Sequence, residues 1–370
     1  MTRIFPQFSK KAVIRAGKIL ISANSESDEY KGAIEVINNW REAHDFPLRV
    51  IRNTLRKRAN RIAKSANVAA RLKRLPSIHS KLVRPESKDL SSMQDIGGCR
   101  VIFKTVEEVY ELLEVYLQEQ SRNPSGRAVC IKFVDYILRP KESGYRSLHL
   151  ILKYQSLVES CMSFNGLKIE IQIRSQLQHH WATAVETAST FLGEGLKSSS
   201  GDFRWLRFFA LAGSVFAIIE GRQSVPNTPN KQVDLVFEIR NLWYELQVDT
   251  FLKGCTSLAQ RLGEFEGSKD FLLVFDASKR TVKIQGFAEG QKQIAIKELA
   301  RAELEYADMP EIQSVLVTVD SVEKLRDAYP NYHSDAIGFI NALSAIIEPE
   351  HEREEDRPEL EFGEEDSAST

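Results

Sequence analysis

The stretch Leu167-Lys168-Ile169-Glu170-Ile171-Gln172-Ile173-Arg174 alternates without a break: Leu167, Ile169, Ile171 and Ile173 fall on one face, and Lys168, Glu170, Gln172 and Arg174 on the other. A period of two is that of a half-buried strand, with one face in the core and the other free for chemistry or solvent. Working outward, Ser175 to Leu192 and then Trp205 to Glu220 read as helices. Upstream, Phe133–Leu138 and Ser147–Tyr154 read as further strands. Before them lies the short apolar strand Val101–Phe103, followed by Thr105-x-x-Glu108, a capping box that opens a helix with Val109, Leu112, Leu113 and Tyr116 on its apolar face. The segment is therefore α+β, a sheet flanked by helices.

Chain length and charge bound the rest. The 370 residues suffice for two or three domains. With 42% hydrophobic and 27% charged residues, collagenous, wholly disordered and membrane-embedded classes are excluded. Fifty Lys+Arg against 51 Asp+Glu leave a net charge of −1, so any affinity for nucleic acid must come from a local patch. One exists. Leu48 to Arg74 holds Arg or Lys at 49, 52, 56, 57, 58, 61, 64, 71, 73 and 74 and no acid, in helix-favouring sequence. Conversely, 352–366 is acidic with almost no apolar content, and 348–370 reads as a disordered tail. The four cysteines lie at least 30 residues apart, giving neither a zinc knuckle nor a disulfide framework. Charges break the N-terminus before any apolar core of a signal develops, and the longest apolar run, Phe208–Ile219, is too short to cross a bilayer. A cytoplasmic chain with no membrane partner is expected.

After the breaker segment 222–231, a helical stretch covers Val233 to Glu264. Beyond Gly267 come strand-like 271–276 and 281–287, a helix near Lys292–Tyr306, strand-like 314–320 and a helix entered through Ser321. The expected organisation is 1–200 catalytic, 201–266 helical connector, 267–347 a small α+β domain, and then the acidic tail.

Four clusters have the composition of a phosphate-handling site. Arg71, Lys73, Ser77 and Lys81 supply cations and a hydroxyl; Asp95-Ile-Gly-Gly-Cys-Arg100 joins an acid suited to a hard cation to a glycine pair that admits a ligand. Lys141-Glu-Ser-Gly-Tyr145-Arg146-Ser-Leu-His149 offers a flat ring for a purine beside cations, and Glu170-x-Gln172-x-Arg174 lines one strand face. Each alone has an ordinary structural reading: a solvated basic helix end, a turn before a strand, a turn tyrosine, an exposed sheet face. No P-loop or Rossmann glycine pattern follows a strand.

In this order, RLKRLPSIHSKL (71–82), DIGGCRVIF (95–103), KESGYRSLHLIL (141–152) and EIQIRSQLQHHWA (170–182) resemble the RelA/SpoT-type alarmone synthetase domain, over about residues 45–200. The resemblance implies a nucleotidyltransferase-like mixed sheet and transfer of pyrophosphate from ATP to a 3′-hydroxyl with Mg²⁺. It implies Asp95 and Glu170 as the acidic pair that holds metal, with Glu170 also orienting or deprotonating the hydroxyl. Arg71 and Arg100 would sandwich adenine, with Lys73, Ser77 and Lys81 at the ATP. Tyr145 would stack on the acceptor base beside Lys141, His149, Gln172 and Arg174. No hydrolase half accompanies it, since His44-Asp45 stands alone. Two positions depart from the pattern: Val134 stands where many members carry a basic residue, and His179 where Asn or Asp is frequent; both bear on the acceptor. His180 and Trp181 read as helix packing.

Tyr329-Pro-Asn-Tyr332, following a small α+β unit without zinc cysteines, resembles the antitoxin-like pseudo-zinc-finger domain of fused, phage-defence alarmone synthetases of the CapRel type. That resemblance implies a toxin that pyrophosphorylates the 3′ CCA end of tRNA, silenced by its C-terminal domain through Tyr329 and Tyr332 and released by a phage major capsid protein. Arg52, Arg56, Lys57 and Arg58 of the basic stripe would meet tRNA phosphates. The alternative is a small-nucleotide synthetase making (p)ppGpp or (p)ppApp.

Overall fold

The computed structural model describes residues 3–84, 88–122, 127–192, 202–261, 267–276, 279, 281–306, 309, 312–318 and 332–347. The chain divides into two compact units, Met1–Tyr136 with Ser147–Gln176, and Ile137–Arg146 with Leu177–Thr370.

In the first unit, helices α1 (Lys10–Ser22), α2 (Asp28–Ala43) and α3 (Asp45–Ile62) precede strand β1 (Asn67–Leu72) and the short helix α4 (Leu75–Leu82). Strand β2 (Gly97–Phe103), helix α5 (Val106–Arg122) and strands β3 (Ala128–Asp135), β4 (Leu148–Tyr154) and β5 (Lys168–Ser175) complete it. The strands form a mixed sheet in the order β1-β2-β5-β4-β3, in which only β2 and β5 run parallel. This is the mixed sheet flanked by helices that the family resemblance implies, with the alternating 167–174 stretch as its half-buried β5. Cys99, Val101, Phe103, Ile169, Ile171 and Ile173, all 3% exposed or less, fill one face with Leu148, Leu150 and Leu152. The expected capping box closes α5 at its start: Glu108 N donates to Thr105 Oγ1 at 3.4 Å, and Thr105 N donates to Glu108 Oε2 at 3.1 Å.

One reading is corrected here. The basic run 48–74 is not one helix: α3 ends at Ile62 and residues 67–72 form an edge strand. The apolar spacing explains the change. Leu48, Ile51, Leu55 and Ala59 keep the helical period and are buried, but no buried residue continues it beyond Ala59, and the strand instead pairs with β2 from Asn67↔Ile102 to Leu72↔Gly97.

The second unit holds α6 (Gln176–Phe191), α7 (Phe203–Ile219), α8 (Gln232–Glu245) and α9 (Val248–Arg261), then β6 (Ser268–Asp276), β7 (Thr281–Ala288), α10 (Lys292–Glu305), β8 (Ile312–Thr318) and α11 (Tyr332–Ile347). Its three strands form an antiparallel sheet in the order β7-β6-β8. The single helix expected over 233–264 is two, because the chain turns at Leu246–Gln247, where Gln247 has φ +49°. The turn lets Leu235, Ile239 and Trp243 and then Val248, Phe251, Leu252 and Cys255 enter the same core. That core also takes in Trp181 and Val185 of α6, Phe208 and Phe216 of α7, Phe271 and Phe275 of β6, and Phe339 and Leu343 of α11. One hydrophobic core thus joins α6, α7, α8, α9, β6, β7 and α11. The helix expected from Ser321, Tyr329 and the 348–370 tail lie outside the described residues; Tyr332 opens α11, and its side chain is likewise outside them.

All four cysteines are free. Among the described residues no helix is long and apolar enough to cross a membrane.

Candidate active site

The sheet face opposite the core carries several of the candidate residues. Register places Arg71 of β1 opposite Gly98 of β2, and Gly98 opposite Glu170 of β5. One pair further along, Arg100 stands opposite Gln172, and Gln172 opposite His149 of β4. The two glycines have separate jobs. A Cβ on Gly97 would lie 2.5 Å from Ile169 Cδ1 and 3.6 Å from the Cβ atoms of His44 and Leu48, so this glycine lets α3 pack on the sheet. A Cβ on Gly98 would meet only the Arg71 carbonyl oxygen, at 4.0 Å, so this glycine leaves open space beside Glu170.

Asp95 enters β2 from the loop after a single 3₁₀ turn, Leu90–Ser92. Its Oδ2 accepts from Lys73 Nζ at 2.9 Å, and its Oδ1 lies 3.0 Å from Lys81 Nζ. Burial pushes the Asp95 carboxyl up, but the charges of Lys73 and Lys81 outweigh it and hold the group below the usual carboxylate value. Lys73 is fixed at both ends of its peptide unit: its N–H donates to Ile96 O at 2.7 Å and its carbonyl accepts from Arg41 Nε at 2.9 Å. Ser77, on the same helix as Lys81, is exposed.

Glu170, Gln172 and Arg174 form a directed chain along β5. Arg174 Nη2 donates to Gln172 Oε1 at 3.1 Å, and Gln172 Nε2 donates to Glu170 Oε2 at 2.9 Å. The other oxygen of Glu170, Oε1, lies 3.1 Å from His149 Nδ1, and the His149 ring meets Tyr136 edge-on with centroids 5.3 Å apart. Burial pushes the Glu170 carboxyl up, and Asp95 adds repulsion; the hydrogen bond and charge of His149, with the Gln172 amide, outweigh both and leave it lowered. The face therefore presents two ionised carboxylates that sense each other, with cations on one side and an imidazole on the other. Sequence reading missed two supports, the Arg41 brace and the Tyr136 edge. Tyr136 adjoins the 137–146 loop and was visible as an aromatic before it; Arg41 carries no local signal, because its contact is made 32 residues away.

The residues fit Mg²⁺. Asp95 Oδ1 is buried with Lys81 Nζ 3.0 Å away; Asp95 and Glu170 supply the hard oxygen donors that Mg²⁺ takes. Among the described residues there is no cluster of three His, Cys, Asp or Glu side chains, so the remaining ligands would come from phosphate and water.

The basic stripe is less uniform than its sequence. Arg56 and Lys57 are exposed on α3 and Arg52 is half-buried with Cys99 within its electrostatic reach. Arg58 is corrected: it pairs with Glu119 Oε2 and lies over the Tyr116 ring, 4.2 Å from its centroid, and so serves the fold. His44 is buried, and its Nδ1 donates to Trp40 O at 2.7 Å.

Lys141 and Tyr145 belong to the second unit. There Lys141 N donates to Tyr145 O at 3.2 Å, Lys141 Nζ lies 5.4 Å from the Tyr145 ring centroid, and that ring meets Trp181 edge-on at 6.1 Å. Arg146, read as a phosphate contact, is corrected: it is 3% exposed and its Nη2 pairs with Glu220 Oε2 at 2.6 Å. His179 and His180 do pack: Nε2 of His179 lies 3.0 Å, and that of His180 3.8 Å, from Asp335, while Trp181 Nε1 donates to Phe209 O.

With this geometry in place, comparison with known proteins is specific. The family described as the region found in RelA/SpoT proteins matches residues 70–191. A probable chloroplastic GTP diphosphokinase of Oryza sativa subsp. japonica is 34% identical over 113 residues, 30% of this chain and 14% of that protein. A GTP pyrophosphokinase of Bacillus subtilis is 32% identical over 119 residues, 31% of this chain and 53% of that protein. The match thus spans about half of the one relative and a small part of the other. Among solved structures, small alarmone synthetase 2 of Bacillus subtilis is similar at 22% identity and a TM-score of 0.40, over 50% of this chain and 94% of that one. Residues 70–191, which hold Arg71, Asp95, His149 and Glu170, match the region found in RelA/SpoT proteins.

Proposed function

We propose that this region is an ATP-dependent pyrophosphokinase acting on a 3′-hydroxyl. The observation that carries the reading is the sheet face on which the Lys73–Asp95–Lys81 cluster and the His149–Glu170–Gln172 chain lie within one RelA/SpoT region. Lys73 and Lys81 would bind the triphosphate, and Arg71 and Arg100 the adenine. Mg²⁺, held by Asp95 and Glu170, would neutralise phosphate charge. Glu170, kept ionised by His149 and Gln172, accepts the proton of the acceptor's 3′-hydroxyl. The hydroxyl oxygen bonds to the β-phosphorus of ATP, the bond between that phosphorus and the bridging oxygen to the α-phosphorus breaks, and AMP leaves with that oxygen.

As acceptor we assign the 3′ CCA end of tRNA, which Arg56 and Lys57 on an exposed helix face support through phosphate contacts remote from the chemistry. The protein would then be a translation-blocking toxin, silenced by its C-terminal part through Tyr329 and Tyr332 and released by phage major capsid protein; the resemblance of the Tyr-Pro-Asn-Tyr segment supports this. The second reading, a guanosine nucleotide acceptor, is favoured by the relatives named GTP pyrophosphokinase. The test is to supply ATP labelled in its β-phosphate together with bulk tRNA or GDP/GTP, with and without capsid protein. Label on tRNA that disappears when the terminal adenosine is removed supports the first reading; label on the guanosine nucleotide alone supports the second.

A further inference from the structure

The loop 137–146 lies inside the RelA/SpoT region by sequence, yet it folds with the second unit. What fixes it there is α7 and its C-cap residue, Glu220, both beyond the matched residues 70–191. Arg146 Nη2 lies 2.6 Å from Glu220 Oε2, and the two side chains are 2% and 6% exposed. Gln178 Nε2 donates to the same glutamate oxygen at 3.1 Å. A buried ion pair is poor evidence of stability, but it holds both partners in place, because either charge left alone in the interior is heavily penalised. Two steps back in the loop, Gly144 takes φ +92°, and its backbone presses against Gly213 of α7: a Cβ on Gly213 would lie 2.6 Å from Gly144 O. A Cβ on Gly144 would lie 2.4 Å from Phe209 O, the same carbonyl that accepts from the Trp181 indole. Tyr145 sits between these two anchors, with its ring on the edge of Trp181.

We infer that Glu220 and Gly213 are positioning residues for the acceptor: through Arg146 and Gly144 they fix the backbone on either side of Tyr145, so that helix α7 sets the pose of the ring and of Lys141. The inference rests on the pyrophosphokinase reading and deepens it, since the ATP contacts Arg71, Lys73, Lys81 and Arg100 stand on β1, α4, β2 and the residue following β1, in the other unit. Disturbing α7 at these two points therefore changes acceptor binding and spares ATP binding.

The experiment is steady-state kinetics of the full chain with capsid protein present and with ATP and acceptor varied independently, beside hydrogen exchange of the 137–146 peptide. In Gly213→Ala, which places a methyl against Gly144, and in Glu220→Gln, which removes the partner of a buried cation, the acceptor KM should rise at least tenfold while the ATP KM stays within twofold. Exchange at the Lys141 and Gly144 amides, which are hydrogen-bonded within the loop, should quicken. Leu235→Ala in α8, a buried site away from the loop, should lower the melting temperature without moving the acceptor KM. Should Glu220→Gln fail to fold, Gly213→Ala carries the test. The inference is overturned if Gly213→Ala leaves acceptor KM and loop exchange unchanged, if both KM values rise together, or if Leu235→Ala raises the acceptor KM equally. Wild-type protein that transfers to no acceptor overturns the pyrophosphokinase reading instead, and loop exchange then still decides whether α7 fixes the loop.

Discussion

Replacing Glu170 with glutamine removes one charge and almost no volume. In the folded protein the carboxylate is penalised by burial and by Asp95 and favoured by His149 and Gln172, with the favourable side prevailing. A hydrogen bond to an ion contributes about 1.5–3 kcal/mol and a neutral one about 0.5–1.5, so two weakened bonds cost roughly 2–3 kcal/mol, largely offset by relief of the desolvation and repulsion. The new amide also faces the Gln172 amide donor, and Gln172 cannot turn without releasing Arg174. A net destabilisation of about 1 kcal/mol is expected. The rate behaves differently, since loss of a general base removes roughly 10²–10⁴-fold, or about 3–5.5 kcal/mol of barrier. The assay pairs denaturant titration with transfer from labelled ATP. A kcat within threefold of wild type in a folded Glu170→Gln variant would refute the assignment of Glu170 as the base.

The neighbouring glycines should separate cleanly: Gly97→Ala, forced against Ile169, loses about 1–3 kcal/mol in denaturant titration, whereas Gly98→Ala stays within about 0.5 kcal/mol and Gly98→Leu weakens ATP binding. Burial holds His44 down at about 4, against its carbonyl bond to Trp40 and an ordinary value of 6.5. The unfolded chain therefore binds the proton first as pH falls, so stability declines from pH 6.5 to about 4 by about 3 kcal/mol from this group. His44→Gln should flatten that part of the stability-versus-pH curve, and an unchanged slope would contradict it. Asp95, held low by Lys73 and Lys81, stabilises above the ordinary carboxylate value and loses that contribution only as pH drops through its lowered value. If α3 binds tRNA, Arg56→Ala with Lys57→Ala should reduce the slope of log K against log salt by roughly one to two. Arg58→Ala should leave that slope alone and cost about 1–2 kcal/mol of stability through its lost Tyr116 and Glu119 contacts.

What the sequence made legible is what local periodicity encodes. The alternation at 167–174 places Glu170, Gln172 and Arg174 on one face, and the Thr105–Glu108 box marks a helix start, because both signals are complete within a few residues. The strand bearing Arg71 was hidden, since 67–72 is an edge strand with no fully buried residue and its composition continues that of the helix before it. Arg58 and Arg146 read as nucleic-acid or phosphate contacts because cations look alike in sequence; their acidic partners, Glu119 and Glu220, lie 61 and 74 positions away. The packing of loop 137–146 on α7 carries no local signal either, since Gly144 and Arg146 meet Gly213 and Glu220 far along the chain. Long-range packing, rather than local propensity, decided each of these.

The most direct test of the account is the fate of ATP. With purified chain, Mg²⁺, capsid protein and an acceptor, phosphorus NMR should show ATP converted to AMP in step with appearance of a diphosphate ester on the acceptor's 3′-oxygen, and both should vanish in Asp95→Asn and Glu170→Gln. Formation of ADP and inorganic phosphate, or undiminished turnover in the two variants, would contradict it.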